Sequence, residues 1–266
     1  VREPVPSPAL SYTDYLQLDT LLGLQRPLSD PAEHDEFLFI VVHQVYELWF
    51  RQLLHELDAL YRSLAEGDHP HSFSTLKRVR AILKTMVGQI DVLETMSPTS
   101  FHSFRERLQS ASGLESTQFR EVELICGRKR ASYIDRAPTR EQRERLLSRF
   151  CAPTLYDGLL AYLAARCYAV PEALLKRNVT HNVEPSAELQ ELLARIYRED
   201  AGTAQICEQL VDFDEGFQEW RYRHVKMVER TIGTRSGTGG SSGVAYLRTT
   251  LFQPFFPDLW EVRNQL

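Results

Sequence analysis

The sequence predicts an all-α fold built as a single domain over residues 1–266. Three observations predict it. Long stretches repeat apolar residues at i, i+3 and i+4, the spacing of one helix face. No stretch alternates apolar and polar residues at the period of a strand. No flexible inter-domain linker divides the chain, so one helical body is the economical arrangement.

The elements follow in order. Residues 35–66 carry Phe37, Leu38, Val41, Leu48, Leu53, Leu57, Leu60 and Leu64 at helical steps, with no Gly or Pro between them. Residues 42–50 are apolar on more than one face, which predicts a helix covered on several sides. The run Gly67, Asp68, His69, Pro70 predicts a stop. A second helix is expected over 74–96, with Leu76, Val79, Leu83, Met86, Ile90 and Leu93 on one face. Ser97 followed by Pro98 reads as an N-cap and a first-turn proline, opening a short helix to about Leu108. SASG at 110–113 reads as a turn, and a further helix starts near Ser116. Residues 130–198 predict two or three amphipathic helices, broken near Ala152–Pro153 and Val170–Pro171, and a long helix is expected over 202–232. The aromatic C-terminal stretch FFPDLWEVRNQL is expected to pack.

Composition narrows the function. The chain is 43% hydrophobic and 25% charged, within the range of globular proteins, and its net charge is −5 with no Lys/Arg block. Nucleic-acid binding needs a clustered basic surface, so no nucleic-acid partner is expected. Charges interrupt every apolar run before membrane-spanning length, and the first residues lack an apolar signal core; no membrane partner and no export signal are expected. Cys126, Cys151, Cys167 and Cys207 form no CxxC pair and no zinc spacing, and read as buried free thiols of a cytoplasmic protein.

Of the eight histidines, His69 and His71 flank Pro70 and read as solvated, as do His34, His55, His102 and His181 in their polar surroundings. Two stand apart. His43 lies inside FLFIVVHQVYELWF and is expected to be buried. His224 lies in EWRYRHVKMVER, with Trp220 at i−4 and Val228 at i+4. A buried helical histidine is more often a hydrogen-bonded core residue than a ligand, and Glu47 at i+4 from His43 fits an ion pair equally well. A haem, however, needs only one axial His and an apolar pocket, a requirement no short motif announces.

GTGGSSG, within residues 233–243, is neither of the common phosphate loops: no Lys follows it, and no strand precedes it. It reads either as a mobile surface loop or as a loop whose glycines let backbone approach a ligand, with Thr238, Ser241 and Ser242 offering hydroxyls.

Several segments together resemble the tryptophan 2,3-dioxygenase family: SYTDYLQLDTLLGLQRPLS (11–29), HDEFLFIVVHQVYELWFRQLLHELD (34–58), LETMSPTSFHSFRERL (93–108), QFREVE (118–123) and WRYRHVKMVERTIGTRSGTGGSSGVAYL (220–247), with FPDLWEVR near the end. The resemblance covers about the first half and the last quarter, and residues 130–215 match loosely. The order HQxYELWF, FxxFR, HxxMVxRxIGxxxGTGGSSG is highly specific; no one of these strings is so alone.

The resemblance implies haem b in a pocket between long helices, with His224 as the proximal ligand to iron. It implies that His43 is the distal catalytic His contacting the indole NH, that Phe39 and Phe101 pack on the substrate, and that Arg105 clamps its carboxylate. A guanidinium matches a carboxylate in two parallel hydrogen bonds, which is the reason for Arg there rather than Lys. On helix statistics alone Arg105 would read as a surface residue paired with Glu106 or a nearby acid. The resemblance further places Thr238 on the ammonium and carboxylate of L-tryptophan or a related indole amino acid, and Ser112 and Gly113 against the haem. Tyr12, Tyr15 and Leu16 match an N-terminal segment, within residues 1–30, that completes a neighbouring subunit's pocket in a homotetramer.

Two departures touch the expected pocket. Thr13 follows Tyr12 where the family usually has Gly, and Leu114 and Glu115 stand within a segment usually reading SGFQS. The implied activity is insertion of both atoms of O2 across indole C2–C3 to give N-formylkynurenine. Insertion of one atom, leaving a 2-oxindole or hydroxylated indole, and haem sensing without turnover are the alternatives.

Overall fold

A computed structural model describes residues 10–109, 111–238 and 242–266. Ser110 of the expected turn and Ser241 of the Gly-rich loop lie outside the described residues. Among the described residues there is no β-strand, and no helix is long and apolar enough to cross a membrane.

Fourteen α-helices appear among the described residues. In chain order they are α1 (Tyr12–Leu16), α2 (Leu18–Leu21), α3 (His34–Ala65), α4 (His69–Leu93), α5 (Pro98–Phe104), α6 (Thr117–Ile125), α7 (Ser132–Asp135), α8 (Arg140–Cys151), α9 (Leu155–Ala165), α10 (Glu172–Leu175), α11 (Ala187–Glu199), α12 (Ala201–Ile232), α13 (Val244–Arg248) and α14 (Pro257–Glu261). The frame is α3, α4 and α12. At 32 residues, α3 and α12 each run roughly 48 Å at 1.5 Å per residue. α4 packs against both.

The contact faces of α3 and α4 are the apolar stripes read from the sequence. Leu53, Leu57, Leu60 and Leu64 of α3, Leu76, Val79, Leu83 and Met86 of α4, and Ile206, Leu210, Phe213 and Phe217 of α12 share one buried cluster. Each such side chain contributes about 1.5–3 kcal/mol by leaving water. α9 and α11 add Leu159, Leu163, Leu189 and Leu193 to the same core. The C-terminal aromatics pack as expected. Asp214 of α12, fully buried, accepts from the backbone N–H groups of Phe255 (2.8 Å) and Phe256 (3.3 Å) and from Trp260 Nε1 (3.0 Å). Glu36 ties the N-terminal segment to α3 by accepting from the N–H groups of Leu28 (2.7 Å) and Ser29 (3.0 Å).

Several boundaries differ from the sequence reading. The stop after α3 is Gly67 alone, at φ +70. Asp68 already N-caps α4, accepting from His71 N at 3.1 Å, so His69 and Pro70 sit in the first turn of a helix. Proline is tolerated there because first-turn N–H groups have no intrahelical partner. His69 is accordingly half-buried, not solvated, with Nδ1 2.8 Å from the Tyr162 hydroxyl. α4 ends at Leu93, three residues early, and the helix opened by Ser97 changes to a 3₁₀ turn at Arg105–Leu108. Residues 130–198 hold four complete helices and most of α11, because α7 and α10 are too short for periodicity to reveal. Cys126 and Cys207 are buried free thiols, but Cys151 and Cys167 are exposed: one ends α8 and the other follows α9 at the surface.

Candidate active site

At one end of the α3–α4–α12 frame the helices do not fill the space between them. α3 turns Phe39, His43, Tyr46 and Phe50 toward α12, which answers with Trp220, His224, Met227 and Thr231. α5, the 111–116 segment, α6 and the Gly-rich loop close the sides, leaving a largely apolar cavity of about 850 Å³. Its aromatic wall is continuous: the Phe39 ring lies 5.8 Å from Phe101 and 5.6 Å from Phe104. The apolar run of α3 reads from sequence as full burial. In the structure that face is covered by a cavity, and His43 is exposed to it rather than packed in core.

His43 is fixed in one tautomer. Its Nδ1 lies 2.7 Å from the carbonyl oxygen of Phe39, one turn earlier. A carbonyl can only accept, so Nδ1 carries the proton and Nε2 is left as an acceptor. Enclosure away from bulk water holds the imidazole below its ordinary pKa, against the raising effects of that hydrogen bond and of Glu47. Glu47 itself is engaged elsewhere, accepting from Gln118 Nε2 at 2.9 Å, and makes no ion pair with His43.

His224 enters from α12. The Trp220 ring stacks on it at 5.5 Å and 14° and sets the imidazole plane. Burial lowers its pKa to about 4, with His43 and Arg120 adding in the same direction, so the ring is neutral and its lone pair available. Among the described residues no three of His, Cys, Asp and Glu converge in a way that could hold a metal ion. His224 can therefore give a metal one bond, and an iron bound here must bring its other ligands, as a tetrapyrrole does. The space fits such a group. A Cβ at Gly113 would meet nothing within 4 Å, and Ser112 beside it lines the same cavity.

Arg105 and Thr238 reach the cavity from opposite sides of a loop contact. Arg105 Nη2 donates to Ser236 O at 2.5 Å, and Thr238 Oγ1 donates to Ala111 O at 2.7 Å. Among the described residues Arg105 has no carboxylate partner; the surface pair with Glu106 does not form. The structure thus brings together Phe39, His43, Phe101, Arg105, Ser112, Gly113, His224 and Thr238. Leu114 and Glu115, the departures from the family pattern, line the same space.

Tyr12, Tyr15 and Leu16 are not brought there: they are 74%, 72% and 40% exposed, on the outside of the chain. Arg120, Glu123 and Arg221 line the cavity, and sequence reasoning missed all three. The available signal was faint, because Arg and Glu three apart on a helix ordinarily read as a solvated pair.

Comparison with known proteins gives the family. The family model described as tryptophan 2,3-dioxygenase matches residues 3–149 and 175–266. A protein of Herpetosiphon aurantiacus named tryptophan 2,3-dioxygenase is 51% identical over 260 residues, spanning 98% of this chain and 100% of its own. One of Anaeromyxobacter sp. (strain K) with the same name is 53% identical over 261 residues, 98% of this chain and 97% of its own. One of Caulobacter vibrioides, again so named, is 40% identical over 261 residues, 97% and 98% of the two chains. Likeness therefore runs through the middle of the chain, beyond the first half and last quarter that motifs alone mark. Matched by the family model over most of its length and by relatives nearly end to end, the chain belongs to the tryptophan 2,3-dioxygenase family.

Proposed function

We infer that this chain is a tryptophan 2,3-dioxygenase, inserting both atoms of O2 across C2 and C3 of the indole of L-tryptophan to give N-formylkynurenine. The observation that carries this is one cavity offering a neutral His43 with a free Nε2, an aromatic wall, and a guanidinium without a carboxylate of its own among the described residues. Those three features match an indole NH, an indole ring and an amino-acid carboxylate. A gas sensor would need no such clamp, and nothing in the cavity favours transfer of a single oxygen atom.

In this reading His224 is the one protein ligand to the iron of haem b, and Ser112 and Gly113 border the macrocycle. Haem b, when bound, supplies the redox-active iron that activates O2. The chain's own residues do the rest. Phe39 and Phe101 bury the indole and keep water from it. His43 Nε2 accepts from the indole NH and fixes the ring's orientation. Arg105 gives its donors to the substrate carboxylate, giving up Ser236 O, and Thr238 adds a hydroxyl. Orientation of this kind lowers the barrier because the reacting atoms no longer have to find one another.

The chain acts as one domain, an assignment supported by the core that α3, α4, α9, α11 and α12 share. It works in the cytoplasm, where its free thiols stay reduced. The exposed Tyr12, Tyr15 and Leu16 support a homotetramer in which each N-terminal segment completes a neighbour's pocket. Turnover of tryptophan under labelled O2, followed by mass spectrometry, tests the reaction. Two labelled atoms in N-formylkynurenine are expected; a singly labelled 2-oxindole would overturn it. Light scattering tests the assembly, with a mass of four chains expected.

A further inference from the structure

Three contacts tie the first part of the Gly-rich loop, residues 233–238, to α5 and the segment after it. Arg105 Nη2 donates to Ser236 O at 2.5 Å, Thr238 Oγ1 donates to Ala111 O at 2.7 Å, and Arg235 Nη1 lies 3.0 Å from His102 Nε2. Arg105 and Thr238 line the cavity, whereas His102 and Arg235 do not. Successive side chains on a helix point about 100° apart, so α5 turns Phe101 into the cavity and the adjacent His102 toward the loop. A guanidinium has donors only, so Nε2 of His102 accepts and the ring's proton sits on Nδ1.

Arg235 is held at its backbone as well as at its tip. Gly243, at φ +60, packs so closely against it that a Cβ there would fall 2.5 Å from the Arg235 carbonyl oxygen. Only glycine allows that approach. Among the described residues the Arg235 guanidinium has no carboxylate partner, and His102 is the acceptor it reaches.

The three contacts differ in what an amino-acid substrate does to them. Arg105 releases Ser236 O when it gives its donors to a carboxylate. The Thr238 hydroxyl has one hydrogen, so donating it to the carboxylate releases Ala111 O. The loop thus loses two of its three ties just when Thr238 has to stay in place. Arg235 and His102 take no part in that exchange, because neither faces the cavity.

We propose that Arg235 and His102 form a positioning pair that keeps the Gly-rich loop docked on α5 while substrate is bound, and so keeps Thr238 aimed at the amino-acid group. The proposal rests on the substrate reading above. Both residues act through Thr238; neither touches substrate or cofactor.

The test has two arms, both on the haem-loaded protein. Spectral titration compares L-tryptophan with plain indole, which has neither carboxylate nor ammonium. Arg235→Ala should weaken L-tryptophan binding roughly fivefold, the scale of one lost hydrogen bond, and leave indole unchanged. His102→Ala should do the same, and the double variant should lose no more than either single one, since each removes the same contact. His102→Gln, whose amide oxygen can accept from Arg235, should recover most of the affinity. The second arm needs no substrate: trypsin cuts after Arg235, and mass spectrometry follows the fragment ending there. The cut rate tracks the population of undocked loop, so His102→Ala should speed it by about fivefold and His102→Gln should not. Additive losses in the double variant, equal weakening of indole, or an unchanged cut rate in His102→Ala each overturns the proposal. If the natural protein binds L-tryptophan no better than indole, the substrate reading fails instead, and the tryptic arm still decides whether His102 holds the loop.

Discussion

The Nδ1 atom of His43 lies 2.7 Å from the carbonyl oxygen of Phe39, and the two rings sit 4.0 Å apart between centroids. One helical turn thus sets both the tautomer of the imidazole and the aromatic surface beside it. His43→Ala should keep the haem spectrum and lose rate, by about tenfold for each 1.4 kcal/mol of lost positioning. The loss should be specific to substrates that carry an indole NH. With 1-methyltryptophan, which has none, natural and variant rates should converge; a variant equally impaired on both substrates would show that Nε2 does not receive that hydrogen.

His224 is held by the Trp220 stack, and among the described residues no three of His, Cys, Asp and Glu converge to hold a metal ion. His224→Ala should therefore purify with little haem. The ratio of Soret to protein absorbance measures this directly. Full occupancy with an unchanged Soret band would remove His224 from the role of ligand.

Among the described residues Arg105 has no carboxylate partner, so its charge is available to a ligand. Arg105→Leu should weaken L-tryptophan binding strongly, since a carboxylate entering the cavity would then be desolvated without a partner. Plain indole has no carboxylate and should bind nearly as before. Comparing the two affinities by spectral titration checks the assignment, and a loss shared equally by both ligands would refute it.

Glu123 is the only carboxylate that Arg120 and Arg221 pair with among the described residues. Burial pushes its carboxyl up, but Arg120, Arg221 and Arg128 outweigh that and hold it below its ordinary value of 4.5. Glu123→Gln leaves two buried guanidiniums without a carboxylate, a change that costs about 3–5 kcal/mol in comparable buried pairs. The melting temperature should fall by roughly 6–20 °C, at about 2–4 °C per kcal/mol. Because the folded-state pKa is depressed, the stabilising contribution is complete above pH 4.5 and is lost as pH falls through the folded value. Denaturation of both proteins at pH 7 and below pH 4 should show the gap narrowing on acidification. A constant gap would mean that Glu123 acts by shape rather than by charge.

Much of this site is legible in the sequence. Phe39 and His43, and Trp220 and His224, each stand four residues apart, so each pair shares a helix face wherever the helix ends up; Phe101 and Arg105 have the same spacing across the change from α5 to a 3₁₀ turn. The family resemblance then gives each a role. The helical runs of α3, α4 and α12 are equally plain, since periodicity is a property of near neighbours in the chain.

What the sequence alone determined is therefore local: the helix type, the faces, the cap at Ser97, the break after Ala152, and the family. What only the tertiary structure decided is which faces meet. Arg120 and Glu123 read as an ordinary i, i+3 surface pair, yet both are buried because α12 brings Arg221 across to the same carboxylate. His43, set in the most apolar run of the chain, is open to a cavity because α3 and α12 face each other there without filling the space between them. Spacing within one turn fixes a side chain's direction. Burial depends on elements a hundred residues or more away, and no local pattern records where those elements lie.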